Sequence, residues 1–276
     1  DQNPKNKPMI DAQETYRTVL ENHLPLKTIE LPITEVQGHV LQESIYADRD
    51  FPPFDRVSMD GIAYCFESAK ADRFPVEGMQ PAGSPPMQLN ASDACLEVMT
   101  GAMLPENTDT VTRYEDVEFF EENGQKYARL TVKPEKKGQN VHARGLDEKA
   151  GTELIRAGRI IGPAEIAVAA SVGKHMLKVS LRPSIGIIST GDELVDVDQQ
   201  PAPYQIRRSN TYALQAAVLQ MGILADMYHL ADDKSTIQSG MEEALIKHDV
   251  LILSGGVSKG KKDYVPEVLE NLGMEK

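Results

Sequence analysis

After Arg182-Pro183 the chain settles into an alternation that leaves few folds open. The short apolar runs "SIGIIST", "ILADMYHL" and "DVLILSGG" read as strands, and each precedes a stretch with helical spacing. The first such helix, "SNTYALQAAVLQMG", starts at Ser209 or Asn210. The second, "STIQSGMEEALIKH", is capped by Ser235, and the third, "DYVPEVLENLG", has Pro266 in its first turn. Three strands joined by helices predict a parallel sheet with right-handed crossovers. The alternation stops at Lys276, where a further strand is expected, so the chain reads as a fragment of a longer protein.

Upstream the texture differs, and 276 residues leave room for two domains or three small ones. Asp11 and Glu14 have capping-box spacing, and Ala12, Tyr16, Val19 and Leu20 give a helix to about His23 one apolar face. From Leu24 to about Lys133 short runs are broken by Pro, Gly and Asn, which predicts mostly strand. Within this region "VEFFEENGQKYARLTV" reads as a hairpin, with Asn123-Gly124 supplying the positive-φ residues of a tight turn. The polar "PEKKGQN" (Pro134–Asn140) reads as a boundary. In "GRIIGPAEIAVAASVG", Pro163 is placed to open a helix and Gly173 to close it, so a helix is predicted over roughly 163–172.

Composition excludes several classes. The longest apolar runs fall far below the ~18 residues that suggest a membrane span, and "DQNPKNKPMI" lacks the apolar core of a secretory signal. Cys65 and Cys95 have no metal-like spacing, so reduced thiols and a cytoplasmic location are expected. A net charge of −13 argues against nucleic-acid or membrane-surface partners. It does not exclude a small anion, because screening over ~8 Å lets a local Lys/Arg cluster override the global sign.

Ligands of an open parallel sheet bind beyond the carboxyl ends of its strands. Two Gly-rich loops lie there: "STGDEL" (Ser189–Leu194) and "SGGVSKGKKDY" (Ser254–Tyr264). Their backbone amides can approach an anion closely. Their acids, Asp192, Glu193 and Asp263, suit Mg²⁺, which favours one or two carboxylates plus phosphate oxygens. Taken singly, each loop reads first as a tight strand–helix turn with solvated acids. Two at one edge, with Lys259, Lys261 and Lys262 clustered, point to an anion site. Gly255 to Lys262 nearly fits a P-loop, but Lys262 replaces the Ser or Thr that would hold Mg²⁺, which argues against an NTPase. Arg207 and Arg208 stand before the helix at Ser209, where guanidinium groups and a helix N-terminus favour an anion; they read equally well as solvated loop arginines.

In order, "PPFDRVSMDGIA", "MTGAMLPENTDTV", "RGLDEKAG", "STGDEL" and "SGGVSKGKKDY" resemble the molybdopterin molybdenumtransferase family (MoeA type, related to the E domain of gephyrin) over nearly the whole chain. The resemblance implies a multidomain α+β and α/β fold: an elongated N-terminal α/β segment (1–50 with 142–180), a mainly-β domain (51–141) and a three-layer, MogA-like α/β domain (181–276). It also implies that the end of this third domain and all of a fourth, C-terminal β domain lie beyond the chain. The implied activity is Mg²⁺-dependent insertion of molybdate into adenylylated molybdopterin with release of AMP, by a cytoplasmic homodimer supplied by a molybdopterin adenylyltransferase. Carried over residue by residue, Asp60, Thr100, Asp147, Glu193 and Asp263 are the catalytic candidates, with Asp60 and Thr100 across a subunit interface from Glu193 and Asp263. Gly101, Ser189, Thr190, Gly191, Arg207, Arg208, Asn210, Ser254, Gly255, Gly256, Ser258 and Lys259 are the substrate-binding candidates, and Asp192, Glu193 and Asp263 the Mg²⁺ ligands.

The chain departs from the family pattern in three places. "RRSN" replaces the usual "YDSN" or "YDTN", so Arg208 takes the place of an acid. Arg56 and Val57 replace Asn-Ser, and the third-strand loop is unusually basic. A rival reading is a non-catalytic pterin-binding or scaffold protein of the same fold. A stand-alone pterin adenylyltransferase would resemble the α/β part alone, and residues 51–150 argue against it.

Overall fold

The computed structural model describes residues 11–71, 73–256 and 264–274 of the chain. The chain forms two compact units, one inserted into the other: residues 44–157 and 167–174 make the inserted unit, and the flanking segments make the second.

The inserted unit is built on a six-stranded mixed sheet. Its strand order is Thr110–Arg113, Gly61–Tyr64, Cys95–Val98, Phe74–Gln80, Gln125–Leu130, Val117–Glu122. All neighbours are antiparallel except Phe74–Gln80 and Cys95–Val98, which run parallel. Gly61–Tyr64 is buried throughout, because side chains pack on both of its faces. Ile62 and Tyr64 join Phe74, Cys95 and Ala128 on one side, and Ala63 joins Val57, Val98, Ala102 and Val111 on the other. The predicted hairpin forms: Glu122 pairs with Gln125, and Asn123 and Gly124 take φ of 52° and 78°.

The flanking unit holds an antiparallel pair, Thr28–Pro32 with Met176–Ser180, and the predicted parallel sheet. In that sheet Ile185–Thr190 lies between Asp226–Leu230 and Val250–Ser254. All six residues of the middle strand are buried, as three layers require. Ile185 and Ile187 face Val218 of the helix Asn210–Leu219. Ile188 faces Ile237, Met241 and Ala244 of the helix Lys234–Lys247 and Val265 and Val268 of the helix Val265–Asn271. The helix Pro163–Ser171 forms as predicted, with Gly173 at φ 75° beyond its end.

Three expectations change in detail. Asp233, not Ser235, caps Lys234–Lys247: its carboxylate accepts the Thr236 N–H at 2.9 Å and the Ser235 and Thr236 hydroxyls at 2.7 and 2.6 Å. The strand expected from Ile223 begins at Asp226, because Gly222 turns the chain at φ 72°. The first helix, Ala12–Glu21, is capped by Asp11 as expected, but it has no buried residue, and Tyr16, Val19 and Leu20 are exposed.

Candidate functional site

In the inserted unit a single glycine sets the position of Asp60. A Cβ on Gly61 would stand 1.9 Å from the Thr112 carbonyl oxygen, so only glycine lets this strand begin against its neighbour. Asp60 is thereby carried to the exposed start of the strand, where its Oδ1 accepts two bonds from Thr100: the N–H at 2.6 Å and the hydroxyl at 2.8 Å. These bonds, the backbone one foremost, hold the Asp60 carboxyl below its ordinary range. The Thr100 turn is itself pinned, since the Gly101 N–H donates to Val57 O at 2.9 Å and the Val57 N–H to Ala102 O at 3.0 Å. The sequence-predicted Asp60, Thr100 and Gly101 therefore form one cluster, an ionised carboxylate beside a rigid turn.

Asp147 is held separately. Its N–H donates to Phe51 O at 2.9 Å, and its Oδ1 lies 2.7 Å from His142 Nε2. Arg56 and Val57, together one of the departures from the family pattern, pair with His142 and Val141.

The second cluster lies beyond the carboxyl ends of the parallel strands. Ser189 Oγ donates to Tyr228 O at 3.2 Å. Thr190 Oγ1 is buried and has no partner among the described residues. The loop after the third strand closes onto this threonine: a Cβ on Gly255 would lie 2.9 Å from Thr190 O, and one on Gly256 2.5 Å from Thr190 Oγ1. The Glu193 carboxylate folds back over Gly191, and Asp192 Oδ1 accepts the Asp232 N–H at 3.1 Å. Ser189, Arg207, Arg208, Asn210 and Ser254 border one cavity of about 200 Å³, across which Asn210 Nδ2 donates to Ser254 Oγ at 3.3 Å. Ser258, Lys259 and Asp263, with Lys261 and Lys262, lie outside the described residues.

Among the described residues no group of three or more His, Cys, Asp or Glu side chains could hold a metal ion. Asp192 and Glu193 together offer two carboxylates, a donor set that suits Mg²⁺ completed by phosphate oxygens and water rather than a metal held wholly by protein. Among the described residues, no helix is long and apolar enough to cross a membrane.

Residues 10–173 match the family described as "MoeA N-terminal region (domain I and II)", and residues 186–276 the one described as "Probable molybdopterin binding domain". The chain belongs to the MoeA family. It is 43% identical to a Synechocystis protein named molybdopterin molybdenumtransferase, over 87% of this chain and 61% of that one. It is 30% identical to a protein of that name from Staphylococcus epidermidis, over 95% of this chain and 63% of that one. The chain thus spans about three fifths of the length of these curated relatives. Among solved structures it is similar to a molybdopterin biosynthesis MoeA protein from Pyrococcus horikosii, with a TM-score of 0.78 and 32% identity over 96% of this chain and 67% of that one.

Set within the MoeA family, Arg208 has a partner that sequence reasoning missed. Leu194–Val195 and Ile206–Arg207 run parallel with Val195 opposite Arg207, so the next pair in register is Asp196 and Arg208. Arg208 Nη2 donates to Asp196 Oδ2 at 2.6 Å, and Tyr212 OH to Asp196 Oδ1 at 2.8 Å. The guanidinium and then the phenol draw the Asp196 carboxyl down to about 2. The positive charge at position 208 is thus offset within the chain by Asp196. Arg208 precedes the helix Asn210–Leu219, so no helical spacing links it to Tyr212, and the loop residue Asp196 offered no signal either.

Proposed function

We propose that this chain carries the pterin-binding and reactive parts of a molybdopterin molybdenumtransferase, which inserts molybdate into adenylylated molybdopterin and releases AMP. The observation that carries this reading is the Asp60 carboxylate, exposed, ionised and fixed by two bonds from Thr100 in a chain of this family. A fixed carboxylate can accept a proton or orient an oxyanion donor as the new bonds to molybdenum form. The Gly-rich loops and Arg207 offer amides and a cation to the anionic substrate. Asp192 and Glu193, with Asp263, would hold Mg²⁺, which would offset charge as AMP departs. Asp147, Thr190, Gly191, Ser258 and Lys259 complete the proposed site. The division into 1–50 with 142–180, 51–141 and 181–276, the homodimer, the cytoplasmic location and the supply by an adenylyltransferase belong to the same reading.

The test is AMP release by the full-length protein given adenylylated molybdopterin, molybdate and Mg²⁺, wild type beside Asp60→Ala. Release by the wild type and at least a hundredfold loss in the variant, about 2.7 kcal/mol of barrier, is the expected result. Equal rates would overturn the role of Asp60. A rival, non-catalytic pterin-binding protein, is favoured by Arg208 standing in an acid position; it predicts pterin binding without AMP release, and no gain in rate from Arg208→Asp would weaken the idea that this position is the lesion.

A further inference from the structure

The backbone of Asp147 and its carboxylate are held by different means. Its N–H and that of Glu148 both donate to Phe51 O, at 2.9 and 3.1 Å, and the Gly145 N–H donates to Pro52 O at 2.9 Å. Two upstream acids fix the rest of the turn. Asp55 Oδ1 accepts the Arg144 N–H at 2.8 Å, and Asp50 accepts Arg144 Nε at 2.8 Å and the Ala150 N–H at 3.0 Å. None of these bonds touches the Asp147 side chain, which can still turn about its own torsions. Among the described residues, the bond to His142 is the only one that its carboxylate makes. His142 is itself well placed. Val141–His142 pairs with Arg56–Val57 in an antiparallel ladder, so the ring starts from fixed backbone and meets Asp147 Oδ1 with its far nitrogen at 2.7 Å. An ionised carboxylate only accepts, so Nε2 carries the proton and donates.

We infer that His142 is a positioning residue: its Nε2–H holds the Asp147 carboxylate in one rotamer by Oδ1 and leaves Oδ2 free for the reaction. The two side chains are 28% and 54% exposed, and so open a pair adds little to stability. Its effect is one of direction, and a misplacement of ~1 Å in a reacting group can cost ~100-fold in rate. The role of Asp147 rests on the function proposed above; the hold on its side chain does not. Each of the two exposed acids then has its own holder, Thr100 for Asp60 and His142 for Asp147. Other charges surround the pair. Arg144 is engaged by Asp50, and Lys149 Nζ donates to Arg144 O at 3.4 Å. Arg56 stands directly opposite His142 in the ladder, so the two side chains leave the same face. A cation there could attract the carboxylate by charge alone, a hold without a fixed direction.

The test measures, by NMR on the 276-residue chain, the three-bond couplings of the Asp147 carboxyl carbon to its backbone nitrogen and carbonyl carbon, which report the side-chain rotamer. Wild type should show one rotamer, and so should His142→Gln, whose amide can still donate. His142→Phe keeps a ring without a donor and should show averaged couplings, with a melting temperature within ~3 °C of wild type. Should His142→Phe fail to fold, His142→Ala takes its place. Arg56→Asn should keep the single rotamer; averaging there would assign the hold to charge and overturn the inference. Averaged couplings in wild type, or one rotamer in His142→Phe, overturn it too. AMP release by the full-length protein adds the kinetic reading. His142→Phe should lose about tenfold or more in kcat with KM within about twofold, and His142→Gln should recover most of the loss. Once Asp147 is replaced by Asn, His142→Phe should cost nothing further. Wild type that releases no AMP sinks the transferase and leaves the couplings to decide the hold. Release with equal kcat in wild type and His142→Phe sinks the positioning role alone.

Discussion

Replacing Gly61 with alanine should both destabilise the inserted unit and displace Asp60. The new Cβ would stand 1.9 Å from Thr112 O, 2.7 Å from Thr112 C and 2.8 Å from Arg113 Cα. All three are backbone atoms, so no rotamer change relieves the clash. Contacts under 3.0 Å essentially never occur for a Cβ, so the strands must part by 1.1 Å or more. Ladder bonds near ~2.9 Å do not survive that shift, and the pairs Gly61 with Arg113 and Ile62 with Thr112 are lost. Overpacking costs ~1–3 kcal/mol and each lost bond ~0.5–1.5 kcal/mol, while alanine regains ~0.5–1 kcal/mol of chain entropy. The net is about 3 kcal/mol, or roughly 10 °C in melting temperature for a unit of this size. Gly83→Ala is the control: φ there is +77°, but nothing lies within 4 Å of the added Cβ, so only the left-handed backbone penalty of ~1 kcal/mol applies. Urea unfolding followed by circular dichroism reads both variants, and under the function proposed above AMP release by the full-length protein reads the Asp60 cluster. Equal midpoints for Gly61→Ala and Gly83→Ala would refute the steric argument.

Three further outcomes follow from the described contacts. The Asp60 carboxyl should titrate below its ordinary 3.8 by carbon-detected NMR. Because its folded value is depressed, the stability it contributes is present above that ordinary value and is lost as pH falls through the folded one; Thr100→Val should move the midpoint upward. Burial pushes the Cys95 thiol up to about 12, so iodoacetamide at pH 8 should leave it unmodified in the folded protein and alkylate it only in denaturant, as read by mass spectrometry. Asp233→Ala should lower the melting temperature more than Ser235→Ala, since Asp233 accepts the Thr236 N–H and Ser235 only donates to Asp233; equal losses would contradict the observed cap.

The strand–helix alternation made the parallel sheet legible, because apolar runs and crossover helices have a periodicity of their own. It did not say that Ile185–Thr190 is the middle strand; that order depends on which pairings bury both faces. The hairpin at Asn123-Gly124 was legible from two residues whose backbone preferences leave little choice. The parallel pairing of Phe74–Gln80 with Cys95–Val98 was not, since no local signal links strands joined by an irregular connection. The Asp60 and Thr100 pairing is a contact across 40 residues, and only the resemblance placed both in one site. The Ser235 cap failed because Ser, Thr and Asp compete for that role within four residues, and the carboxylate gathered three donors.

The insertion of one unit into the other has a consequence for how the chain finds its structure. Pairing Pro32 with Met176 closes a loop of 144 positions. Once Ile45 has met Ile155 at the base of the inserted unit, only the 13 positions before that meeting point and the 21 after it remain to be closed. Closure entropy grows with the logarithm of length, so the shortcut saves about 1 kcal/mol. The inserted unit, complete by residue 174, is therefore the natural first event during synthesis, and its closing hands the flanking segments to each other.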